Sequence, residues 1–454
     1  MKKITGRIFT GAFICSLIFT TETAAADTTL AAIDNGDFEV RLDKLEKQAN
    51  DVSSPLKGIT ISGQMTSILQ TSSLSLKSGM LNDPNYSDYQ HKKATGTLSS
   101  DLFVEKTLNN SDTFFFDIEY ANGAGVDAPL QGGAMVNNDV MEGSDNHNEP
   151  YIARIYYETV RQVGSSANNK ITLDIGKWSV PDYFDGGDRV ADQTTQFLNQ
   201  AICNDGAFDY VQDLQGHGYT YGLRAAMDTS FVTLSGALMS SDSYLDNIDH
   251  KHAVIGEAAF HWDHSEEIKG TYRIYAFRNY GEYAAFDSSG NLLTKDAASI
   301  NTADNKDNLS KGGFGISIDQ SLPLGINAFA KYGRQDDNRD VRHYQDMDES
   351  MMAGFDVPGS HWGRTNDVVG VAYEVGKLTG NHRKAHEVGG YPGIFGRPGI
   401  GNHYADEKVF EIYYSFATSE STSISIDYQR INNFDYSSQI GGVNFFAGRF
   451  NVTF

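Results

Sequence analysis

The segment from Ser179 to His217 concentrates the side-chain types that bind hydroxylated solutes. It carries the aromatic rings of Tyr183 and Phe184, the carboxylate of Asp185 and the amide of Asn199, together with further acids and amides. Planar polar groups can form paired hydrogen bonds with neighbouring hydroxyls, and an aromatic face can pack on the C–H face of a sugar ring. The segment can therefore contact a sugar if it folds inward, or lipopolysaccharide and neighbouring molecules if it folds outward.

Histidine-rich and acidic clusters elsewhere lack the spacing that metal ions require. Four histidines are close in sequence but straddle a predicted loop, strand and turn: His250, His252, His261 and His264. Ligands of a zinc ion must converge on one point, so this cluster does not predict a site. A run that begins like a calcium loop at Asp336 has Val341 in place of the required glycine and Met347 in place of the final glutamate. We expect no metal and no cofactor.

Patterns that would indicate catalysis are also missing. His382, His386 and Glu387 do not follow the His-Glu-x-x-His order of zinc proteases. The sequence nominates no serine, histidine and acid that could be placed together as a hydrolytic triad. It therefore predicts a protein that is not an enzyme.

The elements that must position these residues are predicted to be β-strands. From Gly58 onward, apolar and polar side chains alternate with the period of two that places them on opposite faces of a strand. Beyond the N-terminus no apolar run reaches the length of a membrane-spanning helix. Fifteen strands are predicted, at about 58–69, 95–106, 113–121, 151–161, 170–178, 218–227, 231–239, 253–262, 268–277, 312–320, 325–333, 367–375, 408–417, 421–430 and 440–454.

The last twelve residues show this alternation most clearly. One face carries Phe446, Phe450 and Phe454, while the opposite face carries Arg449 and Asn451. A chain that ends on an aromatic residue of such a strand is typical of the closing strand of an outer-membrane β-barrel. An ordinary half-buried strand of a soluble sandwich is the alternative.

The connections between the predicted strands alternate in length. Short turns at 108–112 and 321–324 contrast with long segments at 122–150, 179–217 and 334–366. Short periplasmic turns opposite long surface loops are the organisation of an outer-membrane barrel. A soluble sandwich has no reason to alternate in this way.

The same alternation fixes the number of strands. The turn at 418–420 is short, so the strand before it must be even-numbered, which requires one strand beyond the fifteen. A turn at 377–380 and a weak strand at 382–389 would supply it. The total is then sixteen, and a barrel of sixteen strands leaves an aqueous channel.

Charged side chains on these strands are predicted to face the water-filled interior. Facing lipid would cost roughly 2–4 kcal/mol for a basic residue near the membrane midplane. The predicted lumen set contains Asp101, Glu105, Asp117, Glu119, Arg154, Tyr156, Glu158, Asp174, Arg224, Arg273, Glu411 and Asp427. Each of them can contact solute, or can simply hydrate the wall and neutralise an opposite charge across it. If the segment 179–217 folds inward, it would form the constriction.

The N-terminus is predicted to direct export. A basic region and an apolar run precede three alanines at 24–26, which predicts a cleaved signal peptide at 1–26. Residues 27–57 are predicted to be a periplasmic tether with a short helix at 35–50, for which a plug or an oligomerisation element is the alternative. After cleavage Cys203 is the remaining cysteine, so no intrachain disulfide is expected.

The net charge excludes nucleic acid as a partner. The chain carries −23, and removal of the predicted signal, with three basic residues and one acid, leaves −25. Phosphate groups would be repelled by this charge. Acidic surface loops suit lipopolysaccharide held through divalent cations, and an acidic pore favours cations or neutral solutes.

Several stretches together resemble the carbohydrate-selective porins of the OprB family. In the first two thirds of the chain they are L-D-I-G-K-W (173–178), D-Y-F-D (182–185), T-Q-F-L-N (195–199) and T-Y-R-I-Y-A-F (271–277). Toward the C-terminus they are G-F-G-I-S-I-D-Q-S-L (313–322), F-A-K-Y-G-R-Q-D (329–336), G-R-T-N-D-V-V-G-V-A-Y (363–373), F-E-I-Y-Y (410–414) and I-S-I-D-Y-Q-R-I-N-N (424–433). The resemblance spans about residues 98–454.

This resemblance implies a sixteen-stranded barrel, as a homotrimer or a monomer, that passes sugars passively. It also implies a constriction near residues 173–178, so Lys177 and Trp178 join the candidate solute contacts. Two positions depart from the family's pattern. Ser425 stands where the family usually has a proline, and Trp178 stands where an acidic residue often follows Gly-Lys. The second departure lies at the implied constriction and bears on which sugar is preferred.

The sequence thus predicts an all-β protein, a sixteen-stranded antiparallel transmembrane β-barrel at 58–454 in the bacterial outer membrane. We expect a porin for passive diffusion of small hydrophilic solutes, carbohydrates first, with outer-membrane lipids and lipopolysaccharide as further partners. Two alternatives stay open. A structural or adhesive barrel would have loops that block the lumen, and a barrel enzyme would need a catalytic set at one rim.

Overall fold

The computed structural model describes most of the chain from residue 57 onward. The described residues are 57–76, 94–123, 125–126, 136–137, 149–166, 168–187, 189–213, 217–265, 267–283, 306–339, 347–387 and 403–454. The predicted signal peptide and the predicted helix at 35–50 lie outside them and stay predictions. Gly58–Phe454 form one compact unit.

Sixteen antiparallel strands form one closed barrel in which each strand pairs with its neighbours in sequence, and β1 pairs with β16. In chain order they are β1 Ile59–Leu76, β2 Thr95–Asn109, β3 Asp112–Asn122, β4 Tyr151–Gln162, β5 Lys170–Ser179, β6 Tyr219–Asp228, β7 Val232–Ser240, β8 His252–Asp263, β9 Lys269–Tyr283, β10 Lys306–Ser321, β11 Asn327–Gln335, β12 Glu349–Pro358, β13 Val368–Lys377, β14 Glu407–Ala417, β15 Thr422–Asn432 and β16 Ile440–Thr453. Among the described residues two short α-helices, α1 (Gln200–Cys203) and α2 (Gly380–Glu387), lie in connections. Single 3₁₀ turns occur at Val180–Asp182, Leu245–Asn247, Pro323–Gly325, Gly359–Trp362 and Phe434–Tyr436. The predicted fold class is confirmed.

The barrel closes between the first and the last strand. Residue pairs run from Gln64 opposite Thr453 up to Leu76 opposite Ile440. At the lower end the backbone groups of Gly63 and Phe454 exchange two hydrogen bonds of 3.0 Å. The terminal residue therefore takes part in the seam, and no sheet edge is left open there.

Successive side chains alternate between the two sides of the wall. On β15, Ile424 and Ile426 are 46% and 69% exposed, whereas Asp427 and Gln429 are 1% and 2% exposed. The first pair faces outward, where lipid would surround the barrel, and the second pair faces inward. The charged residues predicted for the lumen lie on this inner face, and several of them are buried there because a loop covers them.

The sixteenth strand was predicted in the wrong place. It is β12, which lies inside the segment 334–366 that was predicted to be a long loop. Its inner face carries Met352, which is 1% exposed, and its outer face carries Ala353. Ser350 and Asp356 are the polar residues of the inner face, and Met352 and Gly354 between them weaken the contrast with the outward-facing Met351 and Phe355.

The weak strand predicted at 382–389 is also wrong, because this segment begins as the helix α2. His382 is fully buried there, and its Nδ1 lies 2.6 Å from Oδ1 of Asp348. The number of strands was right, but β13 runs in the direction opposite to the predicted one. Residues 378–406 consequently belong to a long connection on the extracellular side.

Two apolar clusters lie inside the barrel rather than between sheets. One joins α1 and Phe197 to the inner faces of β11–β16, and the other joins Trp178, Phe184 and Phe208 to β7–β9. They fill much of the lumen. Among the described residues no helix is long and apolar enough to cross a membrane.

Candidate functional site

The connection between β5 and β6, residues 180–218 and here named the inner loop, folds into the barrel. Its backbone nitrogens at Leu198 and Asn199 donate to the Glu411 carboxylate on β14, at 2.6 and 3.0 Å. Arg449 on β16 donates to the carbonyls of Gln193 and Gln196 at 2.6 Å. The loop begins and ends at β5 and β6, about half the barrel away from β14 and β16, so it can reach these inward-facing side chains only by crossing the interior.

Lys331 on β11 holds the middle of the inner loop. Its ammonium group donates to the carbonyl of Asp185 at 2.9 Å, to the Asp185 carboxylate at 3.1 Å and to the carbonyl of Cys203 at 2.8 Å. Asp185 has a left-handed backbone with φ of 56° and also donates its N–H to Glu257 on β8. Burial raises the pKa of Asp185, and the charge of Lys331 opposes that rise. Asp185 thus anchors the loop to two walls.

Asp205 makes a second anchor beside the first. Its carboxylate accepts a 2.6 Å hydrogen bond from the hydroxyl of Tyr275 on β9, and its N–H donates to Asp185 at 2.6 Å. Burial, followed by repulsion from Asp185, raises the pKa of Asp205 to about 7. The carboxylate lies so close to β11 that a side chain at Gly333 would collide with it. Glycine at this position makes room for the loop.

Aromatic packing joins the inner loop to the β11–β14 wall. Phe197 of the loop contacts Phe329 and Tyr413 edge to face, with ring centroids 5.6 and 4.9 Å apart. Gly370 lies under these rings, where a Cβ atom would collide with Tyr413 and Phe197. The inner loop therefore lies directly against this wall.

The side formed by β3–β6 keeps accessible polar groups, centred on Arg154 of β4. Its Nη1 donates to Asp117 of β3 at 2.7 Å, and its Nε and Nη2 donate to the two carboxylate oxygens of Asp182 at 2.8 Å. The side chains of Arg154 and Asp182 are 23% and 26% exposed. Asp182 is fixed by the 3₁₀ turn at Val180–Asp182, because its Oδ2 also accepts from the N–H of Ser179 at 2.9 Å. Wall and loop are thus joined by one guanidinium.

A cavity of about 110 Å³, here named the upper cavity, opens beside this ion pair, toward the extracellular ends of β4 and β6. It is lined by guanidinium, carboxylate, amide and aromatic groups that include Arg154, Asp182, Gln193, Tyr210, His217 and Tyr219. The Tyr219 ring lies 4.9 Å from the Arg154 guanidinium carbon, and its hydroxyl donates to Glu119 at 2.8 Å. The cavity has room for several water molecules.

His217 and Asp213 close the rim of this cavity. The His217 ring stacks on Tyr151 with centroids 4.2 Å apart. Burial disfavours ionisation of Asp213, but side-chain and backbone hydrogen bonds from His217 outweigh it and lower the pKa of Asp213. Lys177 lies 3.8 Å from Asp213 and donates to the carbonyl of Ile152 at 2.9 Å.

A second cavity of about 360 Å³ lies at the periplasmic end, near the turns after β8 and β10. Arg189, Asp319 and Asn327 are among the residues that line it. The inner loop borders both cavities, the periplasmic one through Arg189 and the other through residues that include Asp182 and Gln193.

The structure separates the candidate solute contacts into three groups. Arg154, Asp117, Glu119 and Lys177 lie around the upper cavity. Trp178, Phe184, Asp185, Asn199, Glu411 and Asp427 are buried and hold the inner loop or the wall. The third group lies on the wall away from that cavity. In it, Arg224 pairs with Asp174 at 2.5 Å and lies 4.1 Å from the Tyr183 ring. Arg273 pairs with Asp319, and Glu158 is half-buried on β4.

Sequence reasoning missed several residues of the site. Lys331 and Arg449 were passed over although their neighbours in the strand pattern place them on the inner face. The same alternation would have found Phe115, which shares its face with Asp117. The amides of Gln193 and Gln200, which contact each other, gave no signal that would tell which way they point. In the described part of the chain no group of His, Cys, Asp or Glu side chains is arranged to hold a metal ion.

Comparison with known proteins places this site in a family. The structure of OprB from Pseudomonas putida aligns with a TM-score of 0.67 at 14% identity, over 89% of this chain and 96% of that chain. An anion-selective porin from Comamonas acidovorans and the outer-membrane channel DcaP of Acinetobacter baumannii each align with a TM-score of 0.48 at 10% identity, over 87% of this chain and 99% and 97% of theirs.

These alignments compare folds, because the identities are low. Among curated protein sequences no match is found. The sequence profile described as "Carbohydrate-selective porin, OprB family" matches residues 107–454, which is most of the barrel. The chain belongs to the OprB family of carbohydrate-selective porins.

Proposed function

We propose that the space between the inner loop and the β3–β6 wall is the selective segment through which small sugars pass. Family and fold are those of an outer-membrane channel for passive diffusion rather than of an enzyme. The finer proposal concerns the path and its contacts. The observation that carries it is the guanidinium of Arg154, which bridges wall and loop at the edge of the upper cavity.

This arrangement suits a neutral hydroxylated solute. A guanidinium donates in pairs, and the carboxylates of Asp117 and Asp182 accept, so adjacent sugar hydroxyls can exchange with either partner. Tyr219 and Tyr210 border the same cavity but are only 7% and 4% exposed, so the groups that a solute can reach there are mainly polar. Because the ion pairs are already formed without solute, a sugar replaces one set of hydrogen bonds by another. The net affinity for the sugar is then low, which allows the sugar to leave the site and pass on.

Assembly does not alter this proposal. All residues named for the path lie within one barrel, so a monomer and a homotrimer would offer the same selective segment. Outer-membrane lipids and lipopolysaccharide would contact the outer face and the long extracellular connections.

Planar-bilayer recording tests the proposal. Purified protein should give stepwise ion conductance, and glucose added on one side should reduce the open-channel current in a saturable way. A barrel that conducts ions but is indifferent to glucose and to a disaccharide would overturn the sugar path. A barrel that gives no conductance would instead favour a structural or adhesive role.

A further inference from the structure

Three aromatic side chains form a continuous surface on the inner wall of the barrel. They are Phe103 on β2, Phe115 on β3 and Tyr156 on β4, three strands that are neighbours in the sheet. The rings of Phe103 and Phe115 lie 6.0 Å apart with planes inclined by 30°, and those of Phe115 and Tyr156 lie 5.1 Å apart with planes inclined by 25°. All three residues are half-buried. We name this surface the aromatic track.

The register of the strands places the track in the lumen. Phe115 lies opposite Tyr156 and alternates with Phe114, which is 39% exposed on the outer face. It shares its face with Asp117, which Arg154 contacts from within the barrel. Since the inner loop leaves these rings half-buried rather than covered, part of each ring faces the interior.

The track lies on the periplasmic side of the Arg154 ion pair. Tyr156 is two residues nearer than Arg154 to the short turn between β4 and β5. Phe115 is two residues nearer than Asp117 to the short turn between β2 and β3. Short turns are periplasmic in these barrels. A solute that moves from the ion pairs of Arg154 toward the periplasm therefore meets the track next.

Packing of the fold accounts for only one end of the track. Tyr156 packs partly against the apolar cluster of Trp178, Phe184 and Phe208, whereas Phe103 and Phe115 belong to none of the buried apolar clusters of the described residues. Apolar rings that face water lose the stabilisation that burial would give them. Carboxylates flank them, because Glu105 lies opposite Phe115 and Glu158 follows Tyr156 on the same face. Ring faces with acceptors at their edges match a pyranose, which has an apolar C–H face and a rim of hydroxyl donors.

We propose that the aromatic track is a second sugar subsite, along which pyranose rings slide from the constriction toward the periplasm. The inference rests on the proposed sugar path and adds a location and a mode of contact. Stacking of a ring on an aromatic face tolerates differences in hydroxyl orientation, so the track would serve hexoses in general. The ion pairs of Arg154 would discriminate between solutes, and the aromatic track would carry the bound sugar onward toward the periplasm.

The Phe115→Ala variant tests the track through current block by glucose. Loss of the middle ring should weaken the apparent affinity for glucose about tenfold, a size typical of removing one stacked ring. Sorbitol, an open-chain polyol of similar mass, should block wild type and variant alike because it has no ring face. Comparison of the two solutes removes the effect of the wider pore.

Two further variants keep the test decisive. Phe114→Ala removes the same ring from the outer face of the same strand, and its glucose block should equal that of wild type. Phe115→Leu keeps an apolar side chain without a ring, so it should weaken glucose block as Phe115→Ala does, and it replaces that variant if the smaller residue impairs assembly. Equal glucose affinity in wild type and both Phe115 variants would overturn the track while leaving the sugar path intact. A wild type that glucose does not block would overturn both.

Discussion

Arg154 on the barrel wall and Asp182 on the inner loop form a two-point ion pair, with both nitrogen–oxygen distances at 2.8 Å. The same guanidinium contacts Asp117 at 2.7 Å, so one cation faces two acids. The pair lines the upper cavity, so in the sugar path that we propose it would set both the width of the pore and the groups that a solute meets.

Replacement of Arg154 by Ala should widen the aperture and weaken sugar recognition. Glucose block should become about tenfold weaker, since a charged hydrogen bond contributes roughly 1.5–3 kcal/mol. Ion conductance should rise, with a stronger preference for cations, because Asp117 and Asp182 lose their counter-ion. Single-channel recording measures both. Arg161→Ala at the periplasmic end of the same strand, where the arginine pairs with Asp112, is the control and should leave both values unchanged. Unaltered glucose block in Arg154→Ala would place recognition elsewhere.

Loss of Lys331 should release the inner loop. Lys331→Met leaves the buried Asp185 carboxylate without its cation, and breaking such a pair costs about 3–5 kcal/mol. We expect rapid current fluctuations and faster protease cleavage within the loop in reconstituted protein. The double variant Lys331→Met with Asp185→Asn should recover part of the loss, because no unpaired charge remains. Identical behaviour of the single and double variants would show that the carbonyl contacts of Lys331, rather than the charge pair, hold the loop.

The anchoring of the inner loop should weaken as pH rises through neutrality. Burial, with repulsion from Asp185, raises the pKa of Asp205 from an ordinary 3.8 to about 7. The anchored loop therefore favours protonated Asp205, so its contribution is fully present below about pH 4 and is lost as pH rises through 7. Asp185, Lys331 and Tyr275 surround the group and set this balance. Current fluctuations should increase from pH 5 to pH 8 in wild type and stay flat in Asp205→Asn. A persisting rise in that variant would assign the effect to another acid.

The terminal residue should matter for assembly rather than for passage of solute. Phe454 is 71% exposed, and its backbone pairs with Gly63 at the seam. A carboxylate in Phe454→Asp would meet lipid or headgroups where the ring now lies. The amount of heat-modifiable barrel in outer membranes should fall, whereas Phe454→Leu should assemble nearly as wild type. Conductance of the molecules that do assemble should be normal in both.

Ion selectivity should lean toward cations. The net charge of −23 over the whole chain makes the mouths of the pore attractive to cations. Reversal potentials in a KCl gradient measure the preference. Clear anion selectivity would mean that the arginines of the constriction outweigh the overall field.

The wall of the barrel could be predicted from sequence because lipid and water impose opposite demands on alternate residues. The face of Ile424 and Ile426 differs from that of Asp427 for this reason alone. The prediction failed at β12, where the inner loop replaces water with apolar packing against Met352. The contrast between the two faces is then weak in the middle of the strand, and a polar helix at Gly380–Glu387 was taken for the missing strand.

The residues of the constriction could be predicted only in part. Asp182, Tyr183, Phe184 and Asp185 are consecutive, yet the first lines a cavity and the last anchors the loop. The different directions of these side chains depend on the 3₁₀ turn at Val180–Asp182 and on the left-handed backbone of Asp185. Neither feature has a period that could be followed along a sequence. Lys331 and Arg449 owe their roles to contacts with residues more than a hundred positions away.

Arg449 lies on β16, the strand that closes the barrel, and its guanidinium holds the inner loop at Gln193 and Gln196. Across the same seam Asn451 donates to Thr66 on β1 at 2.8 Å. The last strand of the barrel thus both closes the seam with β1 and holds the inner loop. Because one strand makes both sets of contacts, we expect closure of the β1–β16 seam and fixation of the inner loop to depend on each other during assembly.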